Sequence, residues 1–156
     1  LSEADRRRYI LIDHRGRAAF NEDAFVFDRL GRFGNGMCPA LVGSKLGDLV
    51  NFPEVPGPTE LTGGKWGFIN AKGAFVVNPV YEDAKGFSEG IAAVKQGGLW
   101  AYIDGSFSRM TGFEFRWVDY FHGGVAKVQL GPVHNDYDRR FAYINNTGEV
   151  IWIEPE

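Results

Sequence analysis

The sequence predicts an all-β fold of repeated antiparallel hairpins, and three observations carry that expectation. Four short segments align with one another: Tyr9-Ile10-Leu11-Ile12-Asp13, Trp66-Gly67-Phe68-Ile69-Asn70, Trp100-Ala101-Tyr102-Ile103-Asp104 and Phe141-Ala142-Tyr143-Ile144-Asn145. A unit that recurs in this way must bury itself against its neighbours. A second motif follows three of them: Phe33-Gly34-Asn35-Gly36-Met37-Cys38, Phe87-Ser88-Glu89-Gly90-Ile91-Ala92 and Phe121-His122-Gly123-Gly124-Val125-Ala126. Glycine is abundant at 21 residues beside 13 phenylalanines, a pairing that suits short strands and tight turns better than a helical bundle.

The unit at 65–98 shows how each element arises. Trp66 to Asn70 is rich in aromatic and β-branched residues and reads as a strand. Trp66 and Phe68 point to one face, Gly67 and Ile69 to the other. Gly67 leaves its backbone bare, so a neighbouring ring is expected to lie on it. Asn70-Ala71-Lys72-Gly73 has Asn first and Gly fourth, a type I turn with a glycine bulge that returns the chain as a hairpin. The pattern recurs as Asp13-His14-Arg15-Gly16 and Asn145-Asn146-Thr147-Gly148. The return strand is expected over 74–77, stopped by Asn78-Pro79 because proline cannot donate to a ladder. Tyr81, Ala84 and Phe87 then recur at spacing three, which fits a short helical turn or a packed loop as well as a strand. Gly90 releases the chain into a third strand, Ile91 to Lys95, and Gln96-Gly97-Gly98-Leu99 turns into the next unit.

Ile69 and Ile103 are 34 residues apart, and so are Phe87 and Phe121. Short connections make neighbouring strands antiparallel. The units read as 9–42, 65–98 and 99–130, with a terminal hairpin at 141–153 that resembles a cap. Insertions at 43–64 and 131–140 interrupt them, and Leu46 to Phe52 is expected to add a small strand to the first. Both fall between the third strand of one unit and the first of the next, so they are expected to project from the same side, where repeat proteins place binding loops. An open, curved array within a single domain is the preferred architecture; trefoil-like or propeller-like closure is the alternative.

These motifs resemble those of the WG-repeat family of mainly bacterial proteins. The resemblance is carried by Lys65-Trp66-Gly67-Phe68-Ile69-Asn70, the turn ending at Gly73, Asn78-Pro79-x-Tyr81, and Phe87-Ser88-Glu89-Gly90-Ile91-Ala92-Ala93-Val94. The next unit departs from it with Ala101 in place of Gly, and with Asp104-Gly105-Ser106-Phe107 in place of the NxxG turn. Tyr9 and Phe141 stand at the Trp position of the outer units. The resemblance implies an all-β repeat module with an interaction role, and it implies no reaction and no fixed set of functional residues.

Composition narrows the classes of function. The net charge of −3 lacks the basic footprint of nucleic-acid binding, and Arg6-Arg7-Arg8 reads as a solvated terminal segment. No run approaches 18 apolar residues, so no membrane span is expected. Neither a signal peptide nor a lipidation motif is read, and a cytoplasmic location is expected. The chain starts at Leu1 rather than Met, which suggests an excised or processed fragment. Cys38 is the one cysteine and reads as a small buried hydrophobe.

Chemistry is sparse. His14, His122 and His134 show no metal-ligand spacing, and the polar run from Pro132 to Asp138 lacks the pattern of a calcium loop. No nucleophile elbow is present, and Glu82-Asp83 and Ser88-Glu89 occupy repeat positions. Neither catalytic residues nor cofactor nor metal is expected. Trp66, Trp100, Tyr81 and Phe87 recur and read as core. Trp117 breaks the pattern: it replaces Asp83 of the preceding unit and sits beside Arg116, the composition of an interface anchor. The expected binding residues are Trp117, Arg116 and Tyr120, with His134 and Tyr137 from the second insertion. The leading expectation is a non-enzymatic protein-binding module, an accessory, regulatory or inhibitor domain. The alternative is carbohydrate or cell-wall binding, which requires the repeat aromatics to be exposed.

Overall fold

The computed structural model describes residues 27–46, 61–132 and 140–155. Among them there is no helix, and eleven strands form two antiparallel meanders. The first sheet runs in the order β1 (Arg29–Leu30), β2 (Met37–Leu46), β3 (Leu61–Asn70), β4 (Phe75–Tyr81). The second runs from β5 (Asp83–Ala84) through β6 (Ile91–Gln96), β7 (Leu99–Asp104), β8 (Phe115–Val118), β9 (Val125–Leu130) and β10 (Phe141–Asn145) to the edge strand β11 (Val150–Ile153). Neither sheet closes into a barrel, so the array is open.

The architecture is a stack of three hairpins, β2–β3, β6–β7 and β9–β10. Each has a face of small residues and a face of rings. In β2–β3 the small face holds Cys38, Ala40 and Ile69, which pack with Phe27 and Phe75. Its ring face, Trp66 and Phe68, packs on the small face of β6–β7: Ala92, Val94, Ala101 and Ile103. The ring face of β6–β7, Trp100 and Tyr102, packs in turn with the small face of β9–β10: Ala126, Val128, Ala142 and Ile144. Rings meet small side chains at each junction, so adjacent layers fill the same space without competing for it. Burying such rings supplies roughly 2 kcal/mol each, and Trp66 and Trp100 are only 9% and 7% exposed.

Two kinds of turn recur between the strands. The Phe-x-x-Gly motif forms two-residue hairpin turns at Asn35-Gly36, Glu89-Gly90 and Gly123-Gly124, with positive φ at both central residues, the signature of type I′. Gly97-Gly98 makes the same turn between β6 and β7. The Asn turns form as expected: Gly73 N–H donates to Asn70 O at 3.0 Å and Gly148 N–H to Asn145 O at 3.0 Å. The corresponding turn at Asp104 is retained, contrary to expectation. Phe107 N–H donates to Asp104 O at 2.9 Å, and Phe107 takes φ 65°, the conformation glycine has elsewhere. The Asp104 carboxylate stands in for the Asn amide oxygen and accepts from Ser106 N–H and Ser108 N–H. The Phe107 ring lies 6.2 Å from Phe68 and 6.1 Å from Phe87, packing that offsets the backbone cost.

Two further expectations are corrected. The return strand β4 does not stop at Asn78-Pro79 but runs on to Tyr81. A bulge between the Trp66 and Phe68 pairs places Asn78 and Pro79 opposite Gly67, where a missing N–H costs no ladder bond. Backbone, not a ring, covers Gly67: a Cβ there would collide with Val77 O and lie 2.9 Å from Pro79 N. The segment read as the first insertion also begins and ends in ladder, since Leu46 pairs with Leu61. Beyond Leu46, the small extra strand expected there lies outside the described residues. Tyr81 belongs to β4, Ala84 to β5, and Phe87 is buried below the turn that follows.

Candidate interaction surface

Two glutamates fasten the turns, Glu82 within the 65–98 unit and Glu89 between that unit and the next. Gly97 N–H and Gly98 N–H donate to the two carboxylate oxygens of Glu82, each at 2.9 Å. Gly123 N–H and Gly124 N–H donate to those of Glu89 at 2.7 and 2.9 Å, spanning 34 and 35 residues. Ser88 Oγ donates to Phe121 O at 2.8 Å beside them. Paired backbone amides favour the ionised form, so both carboxyls are held below the ordinary glutamate range. At the Ser88 position of the preceding unit stands Gly34, because a Cβ there would collide with Phe87 O. Glu82, Ser88 and Glu89 are therefore structural. Asp83 accepts from its neighbour's Ala84 N–H at 2.8 Å.

The ring faces of the first two hairpins are buried, whereas that of the last is open. Phe141 and Tyr143 occupy the positions of Trp100 and Tyr102, yet Tyr143 is 37% exposed where Tyr102 is 1%. Trp117, opposite Gln129 in the β8–β9 ladder, is 40% exposed and meets Phe141 edge-on at 6.1 Å and 85°. Trp152, opposite Tyr143 across β10–β11, is 48% exposed with ring centroids 5.8 Å apart. Lys127 Nζ lies 4.1 Å from the Phe141 centroid, within cation–π range. Trp117, Phe141, Tyr143 and Trp152 thus form one solvent-facing aromatic surface across β8, β10 and β11, with Lys127 of β9 among them.

Of the residues expected to bind, Trp117 is on this surface. Tyr120 is half-buried and turns toward Lys85, whose ammonium lies 5.3 Å from its ring and 5.7 Å from that of Trp100. Arg116 is half-buried next to Trp117 in the strand. His134 and Tyr137 lie outside the described residues. The root of their insertion, Gly131, is buried against Glu114 O beside Leu99, on the edge that carries the Gly97-Gly98 turn. The sequence places Phe141 at the Trp position of the last unit and Tyr143 two residues on, and assigns neither of them to a binding surface; what distinguishes them from Trp100 and Tyr102 is that no described layer covers their face. The alternative of carbohydrate binding through repeat aromatics fails for the inner units, because Trp66, Trp100, Phe87 and Phe121 are buried against the next layer.

Other chemistry is limited. Among the described residues no group of three His, Cys, Asp or Glu side chains is placed to hold a metal ion, and no helix is long and apolar enough to cross a membrane. Cys38 is buried, its thiol donating to Gly31 O at 3.2 Å, and burial pushes its pKa up to about 11. Residues 66–100 match the family described as the WG containing repeat. No curated protein and no solved structure matches the chain.

Proposed function

We propose that this chain, whose residues 66–100 match the WG containing repeat, works as a non-enzymatic protein-binding module whose contact surface is the open ring face around Trp117. The observation that carries this reading is the exposure of Trp117 against Phe141 on a sheet whose inner rings are all covered. A large ring, apolar neighbours and one cation give the composition of a contact centre with a polar rim. Ring geometry favours protein over glycan: sugar stacking uses an open ring face, whereas Trp117 and Phe141 meet at 85° and Lys127 covers the Phe141 face. The proposed setting is cytoplasmic, where a single reduced thiol such as Cys38 persists.

The test is capture from the source organism's lysate by the full chain and by Trp117→Ala, read by mass spectrometry with circular dichroism as a fold control. One stoichiometric protein retained by the parent and lost by a folded Trp117→Ala is the expected result. A Trp117→Ala chain that unfolds makes the residue part of the core and removes the basis of the proposal.

A further inference from the structure

The molecule itself shows twice what covers a ring face of this kind. Trp66 and Phe68 are covered by Ala92, Val94, Ala101 and Ile103, and Trp100 and Tyr102 by Ala126, Val128, Ala142 and Ile144. Each cover is a β-hairpin with Ala-x-Val on one strand and Ala-x-Ile on the other, and every one of those eight residues is at most 2% exposed. The third ring face, Phe141 and Tyr143 with Trp117 and Trp152 beside them, has the same positions without the cover. We infer that this face receives the small-residue face of a β-hairpin from another polypeptide, added as a further layer of the stack.

Among the described residues a second copy of this chain offers no free small face for the role. The first small face described, Cys38, Ala40 and Ile69, is already packed with Phe27 and Phe75, and each of the three is fully buried. Two open ring faces meeting each other would set rings on rings and bring two Lys127 ammonium groups together. The occupant is therefore a heterologous hairpin with alternating small aliphatic residues, which leaves the rings room to seat between its side chains. An acidic residue opposite Lys127 would match its charge.

The inference deepens the protein-binding reading and rests on it. Its probe is a peptide of the sequence of residues 91–104, closed as a hairpin by a disulfide between cysteines added at its two ends, with the fold verified by circular dichroism. Titration into the full chain is read by calorimetry and by amide chemical shifts. Saturable one-to-one binding is expected, with shifts centred on Trp117, Lys127, Phe141, Tyr143 and Trp152. Tyr143→Asp in the protein is expected to weaken it about tenfold or more, while Val80→Asp, an exposed residue of β4, leaves it unchanged. A probe carrying Ala92→Lys and Ala101→Lys is expected not to bind. A folded probe that gives no saturable binding overturns the inference, as does equal binding by the lysine-bearing probe, shifts located elsewhere, or self-association of the protein that Tyr143→Asp abolishes. If those failures coincide with Trp117-dependent capture of a protein, the binding-module reading stands without this inference. If capture also fails and a β-1,4-linked oligosaccharide shields Trp117 from quenchers, both fall.

Discussion

At the scale of single residues, two positions show how backbone and side chain set each other's limits. Gly67 is required because the bulge at Asn78-Pro79 passes directly over it. Gly67→Ala is expected to cost about 2 kcal/mol, the usual penalty for overpacking, seen as a lowered urea midpoint; an unchanged midpoint means the bulge moves freely. Where the next unit has Ala101, the return segment keeps away: Tyr102 N–H donates to the Thr111 hydroxyl at 3.0 Å, and only Trp100 and Phe115 pair between β7 and β8. Phe107 shows the opposite compromise, a bulky residue at positive φ held by its ring contacts. Phe107→Ala loses the ring and keeps the strained φ, whereas Phe107→Gly loses only the ring. Glycine is therefore expected to be more stable than alanine here by about 1 kcal/mol, the reverse of their usual order. Thermal melts of the two variants decide it.

At the scale of elements, the turns carry the electrostatics. Glu82 and Glu89 have lowered carboxyl pKa values in the folded state. Their contribution is thus present above the ordinary value of 4.5 and is lost as pH falls through the folded values. Glu89→Gln is expected to flatten the loss of stability below pH 4.5 and to leave its remaining slope to Glu82, Asp104 and Glu149, which are also lowered. Unfolding midpoints from pH 7 to 3 test this, and an unaltered acid slope removes Glu89 from the account. The Asn and Gly-rich turns were legible in the sequence because their chemistry is local: Asn70 and Gly73 are three residues apart. The Glu89 contact was not legible, because its amide partners lie 34 and 35 residues away and an exposed glutamate ordinarily reads as solvated. The strand end at Pro79 was misread because the proline rule holds for regular ladder, and the bulge that excuses proline depends on Gly67 across the hairpin.

At the scale of the whole molecule, burial depends on place in the stack more than on residue type. Trp117 was legible as exposed because it interrupts a pattern. Phe141 and Tyr143 were not, because they obey the pattern and only the absence of a described layer beyond them leaves them open. The small faces are sealed throughout, which predicts the behaviour of Cys38. With its thiol buried and its pKa pushed up to about 11, alkylation at pH 8 is expected to proceed only through opening of the first hairpin, and added urea is expected to speed it steeply. Rapid labelling of the native protein places Cys38 outside the sealed layer.

The equal spacing of the contacts between layers also bears on how such a chain changes over generations. Phe87 and Phe121, Ala92 and Ala126, and Val94 and Val128 are each 34 residues apart, so removing the 34 residues 85–118 would bring Ala84 directly before Asp119. Phe121 would then stand where Phe87 stood below Gly34, and Trp66 and Phe68 would meet Ala126 and Val128 instead of Ala92 and Val94. The junction gained keeps rings against small residues but sets Tyr120 in the place of Gly86, where a Cβ would collide with Arg32 O, so the shortened gene is expected to encode a protein that melts at a lower temperature than its parent. Recombination between neighbouring units can therefore change the length of this molecule in whole steps, and this particular step alters its aromatic surface as well, since it removes Trp117 and leaves Asp83 at the equivalent position beside Phe141, Tyr143 and Trp152.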